Sequence, residues 1–353
     1  MKTRTRRLIV ALSVLAVLLA FGVAVFLRSR GAPEAARLLP DGDAVIYVNL
    51  KNIRRLTAFT NEPEPQHDPD YQQFINETGF EFERDLDVAA FTVHFTGPNN
   101  EKRYSEIFIG RYDGARMSAY LHKLAKSVER YRQFDIYDIP VENRTVRVAL
   151  LGIDEAAVSN MDDPAVIHGM IDRYLKLALP FGGPSLVREY YRRVPFGSLV
   201  WGIARIPASP KDPRQARSMT LPGGIDIFVP SESVMVASMR FLGAIHARAE
   251  FITQSEADAK QFTNQAGTFL VLFRSIEASA QLSGSDPDVK AVFDSLKVEQ
   301  DKNKSVLSAT IPLGFLKKLF SEPPTSLAPQ SEPATPAPAQ KAKPKPPAKT
   351  KKR

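Results

Sequence analysis

From Leu8 to Leu27 the chain reads LIVALSVLAVLLAFGVAVFL, a run without a charge in which Ser13 is the only polar side chain. At about 1.5 Å rise per residue, a helix of this length is about 30 Å long, the thickness of a bilayer's hydrocarbon core. No side of it is polar, so it does not read as a surface helix of a water-soluble domain. It reads as a transmembrane helix. Lys2, Arg4, Arg6 and Arg7 stand before it, while only Arg28 and Arg30 follow closely. The positive-inside bias then keeps the N-terminus cytoplasmic and sends the remainder outward. A cleaved signal peptide is the competing reading, with Ala20-Phe21-Gly22 and Ser29-Arg30-Gly31 as small-x-small sequences. Against it, the apolar run exceeds the roughly 7 to 15 residues of a signal h-region. The segment has no GxxxG pattern, which argues mildly against tight helix pairing.

The formal net charge of +8 is unevenly distributed. Lys2, Arg4, Arg6, Arg7, Arg28, Arg30 and Arg37 at one end face only Glu34. Lys341, Lys343, Lys345, Lys349, Lys351, Lys352 and Arg353 at the other end face Glu322 and Glu332. The ends therefore hold more than the whole excess, and the body between them is slightly acidic. Such a body has no net pull on phosphate backbones, so nucleic acid is not an expected partner. The chain has no cysteine, which excludes disulfides, thiolate metal sites, cysteine nucleophiles and a lipidated N-terminal cysteine.

These features divide the chain into a basic cytoplasmic N-terminus (1–7), a transmembrane helix (8–27), a linker (28–37), two modules (38–184 and 185–320) and a tail (321–353). The tail is built of Pro, Ala, Lys, Ser and Thr and cannot bury enough apolar surface to order itself. Its seven cations on an extended spacer suit an anionic surface, such as phospholipid headgroups or acidic envelope polymers. The blander reading is a solubilising end.

The two-module division rests on two similar openings. Leu39-Pro40-Asp41-Gly42-Asp43 leads into AVIYVNL, and Val194-Pro195-Phe196-Gly197-Ser198 leads into LVWGIARI. In each, Pro and Gly make a turn that enters an apolar, β-rich run. DVAAFTVHF, SEIFIGRY, FDIYDI, RTVRVALL, IDIFV, VMVASMRF, AIHARAEFIT and SVLSATIPL read as further strands. Met117, Leu121, Leu124, Val128 and Tyr131 fall on one helical stripe begun by Asp113. Asp163-Pro164 and Ser255 with Asp258 open two more helices, Asp286-Pro287 opens another, and Phe315 to Phe320 closes the body with a short one. The expected fold is α+β: two tandem modules of antiparallel sheet packed with helices, preceded by the transmembrane helix.

The stretches LPDGDAVIYVNL, EIFIGRYD, FDIYDI, DDPAVIHGMIDRYL, RRVPFGSLVWGIARI and VLSATIPLGFLKKLF together resemble a group of uncharacterised bacterial membrane-anchored extracytoplasmic proteins, over about residues 38 to 320. The resemblance implies fold and location, and no activity.

Catalytic and metal-binding patterns need particular residues at fixed spacing. His67, His94, His122, His168 and His246 stand far apart, so HExxH is absent, and each reads as an ordinary surface or internally satisfied residue. His67-Asp68-Pro69-Asp70 offers an imidazole and two carboxylates, yet its setting, NEPEPQHDPD, reads more simply as a solvated acidic loop. Asp162-Asp163 reads as helix capping. No GxSxG, no Ser followed three later by Lys and no Gly-Lys pair occurs, and Gly182-Gly183 and Gly223-Gly224 read as turns. No catalytic residue, cofactor or metal ligand is assigned. The leading reading is a single-pass extracytoplasmic (periplasmic) binding or structural protein of the cell envelope whose partner is an envelope protein or anionic polymer. The alternatives are an envelope hydrolase using carboxylates and a regulator of a membrane complex.

Overall fold

The computed structural model describes residues 31–57, 67–96, 101–177, 183–208, 217–221, 225–279 and 287–315. The expected span Leu8 to Leu27 and the basic tail lie outside the described residues. Among the described residues no helix is long and apolar enough to cross a membrane.

Helix α1 (Glu34–Leu38) leads to strand β1 (Ala44–Asn49) and helices α2 (Leu50–Thr57), α3 (Pro69–Thr78) and α4 (Phe82–Asp85). Strands β2 (Leu86–Thr96) and β3 (Glu101–Gly110) precede helix α5 (Gly114–Leu124). Then come β4 (Ser127–Tyr131), β5 (Phe134–Val141), β6 (Arg144–Leu150), β7 (Glu155–Ser159), α6 (Ala165–Tyr174) and α7 (Ser185–Tyr190). The second half runs β8 (Ser198–Ile206), β9 (Arg217–Leu221), β10 (Ile225–Val229), β11 (Ser233–Phe241), β12 (Ile245–Ile252), α8 (Glu256–Ser279), α9 (Pro287–Ser295), β13 (Lys297–Asp301) and β14 (Lys304–Ile311). The class is α+β with a large antiparallel sheet.

Strands from both halves join one 12-stranded sheet, ordered β13-β14-β12-β11-β8-β1-β2-β3-β7-β6-β5-β4, while β9 and β10 form a separate ribbon. The halves meet where β1 pairs with β8, which sets Val45 opposite Ile203 and Tyr47 opposite Trp201. Alternation sends all four side chains to one face. There the Tyr47 and Trp201 rings stack at 5.4 Å, and Tyr191 meets the Trp201 ring at 5.3 Å. The two similar openings thus enter the two central strands. They use glycine differently. A Cβ on Gly42 would strike Thr92 and lie 2.9 Å from the Val93 carbonyl oxygen, whereas Gly197 has φ +76° and open space around it.

The face carrying Trp201 is covered over the first half by α1, α6 and α7, which close a core of Ala36, Leu39, Val45, Ile107, Ile136, Met170 and Leu186. Each large side chain fully buried here contributes about 1.5 to 3 kcal/mol. The opposite face is covered near one end by α3 and α5, with Phe80, Leu86 and Ala89 at the centre of the packing. Near the other end α8 covers it, where Phe262 packs on Phe251 at 5.0 Å.

Local signals explain most helix starts. The Asp113 carboxylate accepts from the Ala115 and Arg116 amides, Asp163 accepts from the Ala165 amide at 2.9 Å, and the Ser255 hydroxyl accepts from the Asp258 amide at 3.1 Å. Ile167, Met170 and Ile171 are fully buried, as the α6 pattern requires. On α8, Phe262 is buried, while the side chains of Phe269, Phe273 and Ile276 lie outside the described residues, as do residues 316–320 of the expected closing helix.

Two expectations are corrected. The stripe from Met117 to Tyr131 is not one helix, because α5 ends at Leu124 and Ala125 is extended. Val128 and Tyr131 lie on β4, paired with β5 across a turn that holds Arg132 at φ +56°. Leu124 and Val128 are 41% and 40% exposed, so neither belongs to the core. A spacing that fits a helix through three residues continues by coincidence into a β-hairpin. The linker reading of 28–37 also fails at its end, since Glu34–Leu38 is helical and Ala35 and Ala36 are buried in the main core.

Candidate functional site

An open concavity lies on the second half of the Trp201-bearing face. Directly opposed residues of antiparallel strands share a face, and the register opposes Ser238 to Arg248, Arg240 to His246, Arg248 to Ser308, His246 to Thr310 and Lys297 to Ser308. These residues form the floor of an open groove of about 670 Å³. Pro195, in the turn before β8, lines one side, and Ala291, Asp294 and Ser295 of α9 line another. The Ser295 hydroxyl donates to the Thr310 carbonyl at 3.0 Å and accepts from the Thr310 amide at 2.8 Å, which fixes the end of α9 against β14.

The groove is cationic. Arg248 donates through Nε and Nη2 to a single Glu250 oxygen, at 3.0 and 2.7 Å, and Arg193 approaches the other oxygen at 3.8 Å. Glu250 is buried and absorbs part of that charge. The side chains of Arg240 and Lys297 have no hydrogen-bond or ion-pair partner among the described residues. His246 Nδ1 lies 3.3 Å from the Thr310 hydroxyl, so it is held in place. Guanidinium and ammonium groups over Ser and Thr hydroxyls suit an anion, with charge from the former and oriented hydrogen bonds from the latter. Asp294 is the one carboxylate among the lining residues. A smaller cleft of about 300 Å³ around Lys51, Arg54, Arg55 and Arg111 already contains its counter-ion, Asp87, which Lys51 approaches at 3.1 Å and Arg54 at 2.5 Å.

Other residues with chemical potential are dispersed. His94 Nε2 lies 3.3 Å from the Ser105 hydroxyl, which lies 3.0 Å from that of Ser159. Burial holds the His94 imidazole below its ordinary pKa, with the Asp43 charge pulling the other way. Ser105 and Ser159 are at most 1% exposed, so this chain is an internal ladder that substrate does not reach. Two carboxyls titrate near neutrality. Glu106 is pushed up to about 7 by burial, and Glu155 to about 7 by burial together with the charges of Glu34 and Asp154. They project from opposite faces of the sheet, because Glu155 opposes Ile109 and Glu106 opposes Val158. They do not form an acid–base pair.

The structure places the sequence candidates as follows. Asp68 caps α3 by accepting from the Tyr71 amide at 2.9 Å, Asp70 is exposed, and Asp163 caps α6. Asp162 pairs with Arg103 at 3.1 Å. His122 meets the Tyr137 ring edge-on at 4.9 Å and His168 stacks on Tyr131 at 4.0 Å. His67 is brought to Glu81 and Glu83 instead of to its sequence neighbours. Lys341, Lys343, Lys345, Lys349, Lys351, Lys352 and Arg353 lie outside the described residues. Sequence reasoning missed the groove, and only the alternation of AIHARAEFIT, which puts His246, Arg248 and Glu250 on one side, pointed toward it.

These features define an α+β body with an open cationic groove on its sheet. No protein-family model matches the chain, and no curated protein sequence matches it. Two solved structures are similar to it, crystal forms III and IV of the Treponema protein TP0453, at 9% and 10% identity. Their TM-scores are 0.42 and 0.40, and each comparison covers 82% of this chain and 98% of the other. A likeness of this size carries nothing about function.

Proposed function

We propose that this chain is a single-pass, membrane-anchored extracytoplasmic binding protein of the cell envelope, and that its sheet groove takes an anionic ligand. The observation that carries the reading is the groove itself: Arg240, Lys297 and the partly neutralised Arg248 stand over Ser238, Ser308 and Thr310, with one carboxylate, Asp294, at the wall. An open, hydroxyl-rich concavity with cations suits retention of a phosphate or carboxylate group. Among its described lining residues only Asp294 carries a carboxylate, whereas a hydrolase of the alternative kind needs two. The apolar run Leu8 to Leu27 and the cations before it supply the anchor and the outward orientation. The tail cations Lys341, Lys343, Lys345, Lys349, Lys351, Lys352 and Arg353 add a second contact with the anionic membrane surface or with acidic polymers.

The test is equilibrium binding of full-length protein in neutral detergent to a phosphate-rich anionic polymer and to an uncharged polymer of the same length. Binding to the anionic polymer alone, weakened at least about tenfold by Arg240→Glu, supports the reading. Equal binding of both polymers, or turnover of a hydrolase substrate abolished by an Asp294→Asn change, sinks it.

A further inference from the structure

His67, at the entry to α3, does not meet the aspartates beside it in sequence. Its Nε2 faces Glu83 Oε1 at 3.8 Å, and ligand atoms of His67, Glu81 and Glu83 all lie within 4.8 Å of one another. That Nε2 is sealed from solvent and makes no hydrogen bond among the described residues. A buried, unpartnered imidazole nitrogen is costly unless something other than protein fills the position.

The surroundings hold the three groups in place. Glu83 Oε2 accepts from the Tyr71 hydroxyl at 2.6 Å, and that hydroxyl accepts from the Phe82 amide at 2.8 Å. The edge-to-face contact between Tyr71 and the His67 ring, with centroids 4.7 Å apart, fixes the plane of the imidazole. Glu81 Oε2 accepts from Arg84 at 3.0 Å. Each carboxylate is therefore anchored through one oxygen, and Glu83 turns its other oxygen toward His67. Phe74, Phe80 and Phe82 pack against one another, and Phe74 and Phe82 against Tyr71, so α4 and its N-cap, which carry Glu83 and Glu81, are held against α3.

We infer that His67, Glu81 and Glu83 form a binding site for one divalent transition-metal ion of zinc type, which clips the entry of α3 to α4 and its N-cap. One imidazole nitrogen and two carboxylate oxygens are a donor set that zinc accepts, with water completing the shell. At metal–ligand distances of about 2.0 to 2.1 Å, tetrahedral ligands stand about 3.3 Å apart, so the pair at 3.8 Å closes by about half an ångström. Tyr71 and Arg84 are positioning residues that orient the carboxylates, as outer partners of metal ligands commonly do. The rival account of the same geometry is a simple His67–Glu83 ion pair, which needs no metal.

The test is calorimetric titration of zinc into chelator-stripped full-length protein, with cobalt substituted for its visible absorption. One saturable zinc per chain is expected, with a cobalt spectrum of low coordination number. His67→Ala should weaken binding at least about 100-fold, Glu83→Gln similarly, and Tyr71→Phe about tenfold. Circular dichroism of each variant separates loss of the site from loss of the fold, and Glu83→Gln serves if His67→Ala does not fold. Absence of a saturable site in the wild-type protein leaves the ion pair as the account and overturns the inference. Equal zinc affinity in folded His67→Ala or Glu83→Gln overturns it too, by placing the metal elsewhere.

Discussion

Replacing Glu106 by Gln should stabilise the protein above neutral pH and leave it nearly unchanged in acid. Glu106 lies on β3 between Phe91 and Val158 of the flanking strands, and its carboxyl makes no hydrogen bond or ion pair among the described residues. Burial alone raises its pKa from 4.5 to about 7. Below pH 4.5 the carboxyl is protonated in both folded and unfolded chains, and the full stability is present. Between 4.5 and about 7 only the unfolded chain releases its proton, so stability falls as pH rises through this window and then levels off. At about 1.36 kcal/mol per pH unit the window is worth about 3 kcal/mol, and partial solvent access brings this nearer 2. Gln matches the protonated acid in shape and cannot ionise. The difference between Glu106→Gln and the wild type should therefore be near zero at pH 4 and about 2 to 3 kcal/mol in favour of the variant at pH 8. Urea unfolding of the full-length protein at the two pH values reads this as a midpoint shift of about 1 M, seen only at pH 8. A variant that tracks the wild type at both pH values would refute the claim that burial keeps this carboxyl protonated.

Trp201→Ala removes the ring stacked on Tyr47 at the joint between the halves and should cost about 3 to 5 kcal/mol in urea unfolding, without separating the transition into two. Gly42→Ala should destabilise by more than Gly197→Ala, because the new methyl at residue 42 meets the fixed Val93 carbonyl, whereas residue 197 carries only a left-handed backbone cost of about 1 kcal/mol; thermal melts of the pair decide the order. Truncation before Lys341 should abolish a steeply salt-dependent component of binding to anionic vesicles, measured by co-sedimentation, and unchanged binding would remove the tail from the account.

What the sequence showed of this fold follows from the range of the interactions that build it. Capping and turn chemistry act over three or four residues, and the starts of α5, α6 and α8 were visible in Asp113, Asp163 and Ser255. Central strands such as β1 and β8 carry enough β-branched and aromatic residues to be recognised alone. β13 was not visible, because KVEQD has a single apolar residue and is held only by pairing with β14. The end of α5 was hidden for a related reason: Val128 and Tyr131 continue a helical spacing by accident, and the hairpin with β5 overrides it. The groove cations are scattered from Arg240 to Lys297, and only strand register gathers them. His67 and its two glutamates are separated by a helix, so the spacing of metal ligands along the chain gave no sign of the cluster.

The two central openings explain why one half of the sheet has an exposed polar groove and the other does not. β2 and β11 stand next to β1 and β8 respectively, and both present polar residues on the same face: Thr92 and His94 on one, Ser238 and Arg240 on the other. Over the first pair the opening loop lies flat, because Gly42 lets its backbone touch β2. The Asp43 amide donates to the Val93 carbonyl at 2.9 Å and the Thr92 hydroxyl to that of Pro40 at 3.2 Å. Those polar residues are sealed and satisfied internally, and burial lowers the His94 pKa against the pull of Asp43. Over the second pair the equivalent loop stands clear at Gly197, Phe196 is 78% exposed, and Pro195 becomes a wall instead of a lid. The cations there keep their access to solvent and to any anion that arrives. Close contact at one glycine thus accompanies a buried polar ladder, and a left-handed turn at the other leaves the matching polar pair facing the groove.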